Sequence, residues 1–218
     1  MANIEHLTKL KQGAINWIDW LDHSHQEEID LINADLRGIN LPGVYLVKAN
    51  LTGADLTSAK LSKANLTGAN LQSAELIDAN LIETNFTGAN LQSAYLIDAD
   101  LHQANLIGAD LRAVMGRGAN FSGANLIGTS IRQGQLPGAN FMQAKLSRAN
   151  LSETALTQAS FNGADLSGAN FFEAELQSAS FYQAKLYRVK AIATHFSHSY
   201  FLASNLIEAN MAGCDLRW

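Results

Sequence analysis

Every fifth residue from Leu31 to Leu216 is large and apolar. Of these 38 positions, 26 are Leu and eight are Phe, with Ile131 and Met211 beside them; only Gly116 and Ala191 depart. Two residues before each, from 34 to 214, 25 of 37 positions are Ala, and most others are small (Thr84, Thr129, Gly134, Thr154, Ser199, Ser204, Cys214). The residue between is Asn or Asp in 21 of 37 cases. The unit reads Ala-(Asn/Asp)-Leu-x-x, as in Ala54-Asp55-Leu56 and Ala124-Asn125-Leu126, and no insertion shifts its phase. A helix needs apolar recurrence near 3.6 and a strand near 2, so a period of five fits neither. One large and one small inward residue per five describe a chain that turns a corner in every repeat. No single repeat can bury its own apolar face, so the repeats stack as a solenoid.

A second period counts the sides. Phe121, Phe141, Phe161, Phe181 and Phe201 are spaced by 20, or four repeats. The stretch from Leu71 to Ala79 recurs from Leu91 to Ala99 at the same offset, with Tyr95 in place of Glu75, and Lys145, Asp165 and Lys185 alternate in sign at that spacing. A four-sided coil makes the Phe residues one internal ladder and the charges one column of opposite neighbours. A three-sided coil of 15 scatters both.

The unbroken motif over residues 29–218 resembles the pentapeptide-repeat family. The resemblance implies an all-β solenoid, a right-handed quadrilateral β-helix with Leu/Phe and the preceding Ala pointing inward. Thirty-eight repeats make about 9.5 four-repeat coils, and at ~4.8 Å between strands the rod is roughly 45 Å long.

Open strand edges at the ends of such a rod invite aggregation and call for cover. Residues 1–28 lie off the repeat. Leu7, Leu10, Ala14, Trp17 and Leu21 form the apolar stripe of an amphipathic helix, with Lys9, Lys11, Asp19 and Asp22 off it. The expectation is a domain of two parts: an N-terminal α-helical cap and linker over 1–28, then the β-helix over 29–218. The lead-in from Leu10 to Trp17 resembles that of cyanobacterial members of the family. Acidic residues interrupt the region, which argues against a signal peptide and for the cytoplasm. At the other end, Val189, Thr194, Ser199 and Ser204 replace Ala, and Tyr182, Tyr187, Tyr200 and Phe201 crowd together. Either these side chains shield the last coil or two chains pair as a homodimer through it. Gyrase-protecting members dimerise through a C-terminal helix, which the repeat here leaves no room for.

Composition follows from the repeat. Ala, Leu and Asn number 33, 30 and 19 of 218 residues, and charged residues make up only 16%. No apolar run approaches the ~18 residues of a membrane span, so no membrane insertion is expected. A single Cys excludes an internal disulfide or a multi-cysteine zinc site. With 15 Lys+Arg against 20 Asp+Glu, the balance disfavours direct binding to a phosphate backbone.

Catalysis needs a pocket with converging polar groups, and a core of Leu, Phe and Ala provides none. The pairs His195/His198 and His23/His25 lack a third ligand at convincing spacing, and Cys214 stands in an inward slot where a buried thiol is inert. Glycines such as Gly53, Gly68 and Gly88 follow the repeat and serve corners rather than a phosphate loop. The expectation is no enzyme, no cofactor and no metal.

Charge falls in bands. Glu75, Asp78, Glu83, Asp98, Asp100 and Asp110 lie between Ala64 and Leu111 with no Lys or Arg. Arg112, Arg117, Arg132, Lys145 and Arg148 follow with no acid before Glu153. Stacking turns such blocks into bands around the rod, and the six acids with Arg112, Arg117 and Arg132 form the candidate protein-interaction surface. Like charges stacked on one another destabilise mildly, which favours a use for them. The leading reading is a non-enzymatic scaffold whose rigid, charge-banded faces meet an unidentified protein partner. The alternative, taken from the gyrase-protecting relatives, is a DNA mimic that binds DNA gyrase or topoisomerase. Duplex DNA carries one charge per ~1.7 Å, so a 45 Å rod needs about 26 net negative charges. The repeat has 15 acids minus 13 bases, or −2.

Overall fold

A computed structural model describes residues 2–23 and 28–217. From Asp30 to Asp215 the chain is a continuous solenoid in which each residue before a central Leu or Phe bridges, in parallel, to the residue 20 further on. Asp30 bridges to Asn50, Asn50 to Asn70, and so on to His195 and Asp215. The coil therefore closes every four repeats.

One repeat accounts for all five of its backbone N–H groups. In the repeat around Leu51, the Leu51 N–H donates to the Asn70 carbonyl and the Gly53 N–H to the Gln72 carbonyl of the next coil. The Asn50 N–H donates back to Ile29, and the Ala54 N–H closes the turn onto Leu51. The fifth, the Thr52 N–H, has no backbone partner and is accepted by the Asn50 side-chain oxygen at 3.2 Å. Backbone donors left unpaired are costly, so Asn or Asp at this position completes the ladder. Asn outnumbers Asp there by 15 to 6 because its amide also donates to the coil before. Asn90 donates to Asn70 at 3.0 Å, Asn140 to Asn120 at 3.2 Å and Asn170 to Asn150 at 3.2 Å.

Each corner is a turn whose third residue takes positive φ, at all 37 positions from 33 to 213. Thirteen are Gly and 24 are not, and none of the 24 is β-branched. Val, Ile and Thr are the residues that tolerate this backbone region least. Thr and Ile instead take the preceding turn position, as in Thr52-Gly53 and Ile77-Asp78.

The core is four columns of inward side chains. Phe121, Phe141, Phe161, Phe181 and Phe201 stack with centroids 4.9 to 5.1 Å apart and planes within 5°. Phe171 meets Phe161 and Phe181 edge-on at 5.9 and 6.4 Å. The coil that carries the small Ala191 also carries Phe196, edge-on to Phe181 and Phe201. Where Thr or Cys replaces the inward Ala, and at Ser199, the side chain donates to the central carbonyl of the coil before, whereas Ser204 donates to Phe201 in its own turn at 2.7 Å. Thr84 donates to Leu61, Thr129 to Leu106, Ser199 to Leu176 and Cys214 to Ala191, each 23 residues back. The Leu61, Leu106 and Leu176 carbonyls already accept the turn N–H of Ala64, Ala109 and Ala179, so the hydroxyl uses the second lone pair.

The cap differs from the single helix that the apolar stripe predicts. It is two helices, α1 (Ile4–Lys11) and α2 (Ala14–His23), separated at Gln12 and Gly13. Gly13 has φ +103°, a conformation open to glycine, and it ends α1 before the stripe is complete. The stripe still buries Leu10 and Trp17 fully. The cap also takes over bonds that a preceding coil would make. The Asn3 N–H donates to the Asp30 carbonyl, the Asp30 N–H donates to His6 Nδ1, and Trp17 Nε1–H donates to the Tyr45 carbonyl at 2.8 Å. Most of the linker expected before residue 29, and the His25 side of the His23/His25 pair, lie outside the described residues. At the far end, Phe201 and Met211 are half-buried while Leu206 and Leu216 are exposed, with Leu202 and Ile207 open beside them.

Candidate protein-interaction surface

The banded residues point outward, but ion pairs have rearranged the bands. Arg112 lies two residues after Asp110 on one corner, forms a bidentate pair with it, and holds its carboxyl below the usual range by hydrogen bonding. Arg132 reaches Glu153 in the next coil at 2.8 Å. Hydrogen bonds from Gln133, then from Arg132, hold the Glu153 carboxyl low. Glu83 stands 3.8 Å from Lys63 in the coil before. Asp100 accepts from the His102 N–H at 3.1 Å and from Asn120 Nδ2 at 2.9 Å. Arg37 pairs with Asp35 and approaches Asp55 at 3.5 Å.

The expected band of six acids is thus reduced to three. Among the described residues, Glu75, Asp78 and Asp98 are exposed and take part in no ion pair. Asp78 and Asp98 share one corner of the rod, and Glu75 lies on the face that leads into it. Glu75 bridges to Tyr95, and Tyr95 to Met115. Asp78 and Asp98 occupy the positive-φ place of successive turns, at +55° and +54°. A Cβ on Gly118, one coil on, would collide with the Asp98 carboxylate, so the glycine leaves that carboxylate its place. Arg117 is exposed at the lower end of the same corner. The pairing was readable in part: Lys63 and Glu83 differ by the coil length of 20, and Arg132 and Glu153 by 21. The Asp-x-Arg spacing of Asp110 and Arg112 also carries a signal, because it recurs paired at Asp35/Arg37 and Asp215/Arg217.

His195 and His198 are exposed, and no group of three His, Cys, Asp or Glu among the described residues could hold a metal ion. Cys214 is half-buried, and burial pushes its thiol pKa up. No helix among the described residues is long and apolar enough to cross a membrane.

A solenoid of five-residue corners closing every 20 residues defines a class of repeat rods, and the comparisons place this chain in it. Residues 29–68, 64–103 and 94–133 match the family described as Pentapeptide repeats, and residues 136–211 match Pentapeptide repeat region. The chain belongs to the pentapeptide-repeat family. It is similar to HetL, a pentapeptide repeat protein involved in heterocyst differentiation regulation in the cyanobacterium Nostoc sp.; identity is 25% over 89% of this chain and 94% of that one, with a TM-score of 0.35. It is also similar to QnrB1, a plasmid-mediated fluoroquinolone resistance protein, at 16% identity over 87% and 88%, with a TM-score of 0.42. A pentapeptide repeat protein of the Arabidopsis thaliana thylakoid lumen is 28% identical over 60% of this chain and 70% of its own, with a TM-score of 0.19. A search of the curated proteins found no match.

Proposed function

We propose that this chain is a non-enzymatic interaction scaffold, a right-handed quadrilateral rod of about 9.5 coils that presents fixed outward side chains to a protein partner. One observation carries the reading. The interior is filled by close-packed Leu, Phe and Ala, while exposed charge is held at fixed intervals along a rigid ladder. Such a surface is pre-organised, so ordering it on binding costs little. HetL and QnrB1 are named for a regulatory and a resistance role, which is in keeping with action through a partner.

The DNA-mimic reading has less support. Mimicry along the rod needs a continuous negative surface, whereas seven ion pairs among the described residues cover much of the acid and the repeat carries a net −2. Affinity capture from the native host extract tests the scaffold reading: stoichiometric retention of a protein is expected, and retention no higher than on a blank column contradicts it. A gyrase supercoiling assay decides the alternative. Full supercoiling in excess protein is expected, and inhibition would restore the mimic.

A further inference from the structure

Building on the scaffold reading, we propose that the corner and adjoining face formed by Glu75, Asp78, Tyr95, Ile97, Asp98 and Met115 are the docking site. Its occupant is a basic amphipathic segment of a partner protein, with an apolar residue seated on Tyr95 and Met115 and Lys or Arg over the three carboxylates. Of the four corners at this height, this one joins the exposed Met115, flanked by the half-buried Tyr95 and Ile97, to three exposed carboxylates outside any ion pair. The preceding corner shows Gln72, Ser73, Gln92 and Ser93, which are neutral. The next shows Glu83, already beside Lys63, and the last shows Thr87, Gly88, Ile107 and Gly108, which carry no charge.

The apolar element is continuous. Tyr95 and Met115 are bridge partners, Met115 is 44% exposed, and Ile97 stands two residues from Tyr95 on the corner that follows. Neighbouring coils lie ~4.8 Å apart, so the two side chains form one surface. Asp78 and Asp98 face each other across that same spacing, an arrangement that weakens the rod by like-charge repulsion. A cation placed between them relieves the repulsion, and a partner with Lys or Arg at that place gains electrostatic complementarity. At Asp35, Glu83, Asp110, Glu153, Glu208 and Asp215 the chain answers an acid with its own Arg or Lys. Here it does not, and Arg117 marks the lower limit of the negative patch.

The test uses the full chain and a fluorescein-labelled peptide of alternating Leu and Lys pairs in a helical amphipathic pattern, followed by anisotropy. Saturable, salt-sensitive binding is expected. It should weaken at least tenfold in the triple variant Glu75→Gln/Asp78→Asn/Asp98→Asn, and comparably in Met115→Ser. It should change less than twofold in Glu83→Gln/Asp100→Asn/Asp110→Asn. Circular dichroism on each variant confirms that the rod is intact. Asn tolerates positive φ, so the first triple variant keeps its turns. Absence of saturable binding overturns the proposal, as does equal loss in both triple variants. Host-extract capture that survives all of these substitutions also overturns it, while leaving the scaffold reading standing on another part of the rod.

Discussion

Leu136 lies against Gly134: a Cβ on that glycine would stand 2.8 Å from Leu136 Cδ1 and 3.0 Å from the Ile131 carbonyl. The other δ-methyl of Leu136 reaches the space above, 3.0 Å from where a Cβ on Gly116 would be. Gly116 is a departure from the large-residue column and Gly134 a departure from Ala in the small one, and a single leucine fills both gaps.

Gly134→Ala restores the commonest residue of its position and is nonetheless expected to destabilise, by about 1–3 kcal/mol, as overpacked cores do. Urea denaturation followed by circular dichroism measures it. Unchanged or increased stability would contradict the packing described for Leu136.

The Phe ladder gives the complementary case. Phe161 is fully buried between Phe141 and Phe181, with centroids at 5.0 and 5.1 Å. Phe161→Ala should cost ~3–5 kcal/mol in the same assay. A loss under about 1 kcal/mol would contradict its inward, stacked position.

Thr129 separates hydrogen bonding from packing. Its hydroxyl donates to the Leu106 carbonyl at 2.8 Å, but that carbonyl also accepts the Ala109 N–H at 3.0 Å. Removing the hydroxyl orphans nothing, so Thr129→Ala should change stability by no more than ~1 kcal/mol. A loss of ~3 kcal/mol, the full cost of an unsatisfied buried group, would show that the second lone pair is indispensable.

Acid should loosen the rod. A hydrogen bond from Arg112 holds the Asp110 carboxyl low, and one from Arg188 does the same for Glu208. Asp35 and Asp215 are held lower still by Arg37 and Arg217. Each depressed carboxylate binds its proton more readily in the unfolded chain. Its contribution is therefore complete above the ordinary carboxylate pKa near 4 and is lost as pH falls through the folded value. Melting temperature should stay level from about pH 5 to 8 and decline below about pH 4. These pairs are exposed, so the decline is shallow. A melting temperature that rises on acidification below pH 4 would contradict the pairing.

The sequence made the repeat, its columns and the Phe ladder legible because solenoid contacts follow chain spacing: what touches at 20 residues is visible as a period of 20. The cap was half-legible. The stripe through Leu10 and Trp17 located the buried face, but the three- and four-residue steps continue across Gly13 and conceal the break between helices. The charge bands were least legible, since runs of one sign in the chain say nothing of a partner in the next coil. Arg132 belongs with Glu153 and Arg112 with Asp110, so the effective surface shrinks to Glu75, Asp78 and Asp98. The dual role of Leu136 depends on a rotamer and has no sequence signal.

Every column, ladder and corner described here rests on the 20-residue coil. Spin labels on Ser73→Cys and Glu173→Cys, in a Cys214→Ser background, test it directly by double electron–electron resonance. Five coils separate the two sites along a single corner, which predicts a narrow distance distribution centred near ~24 Å. A three-sided coil of 15 residues would place them almost seven coils apart on different corners, and a distribution beyond ~32 Å would contradict the four-sided rod.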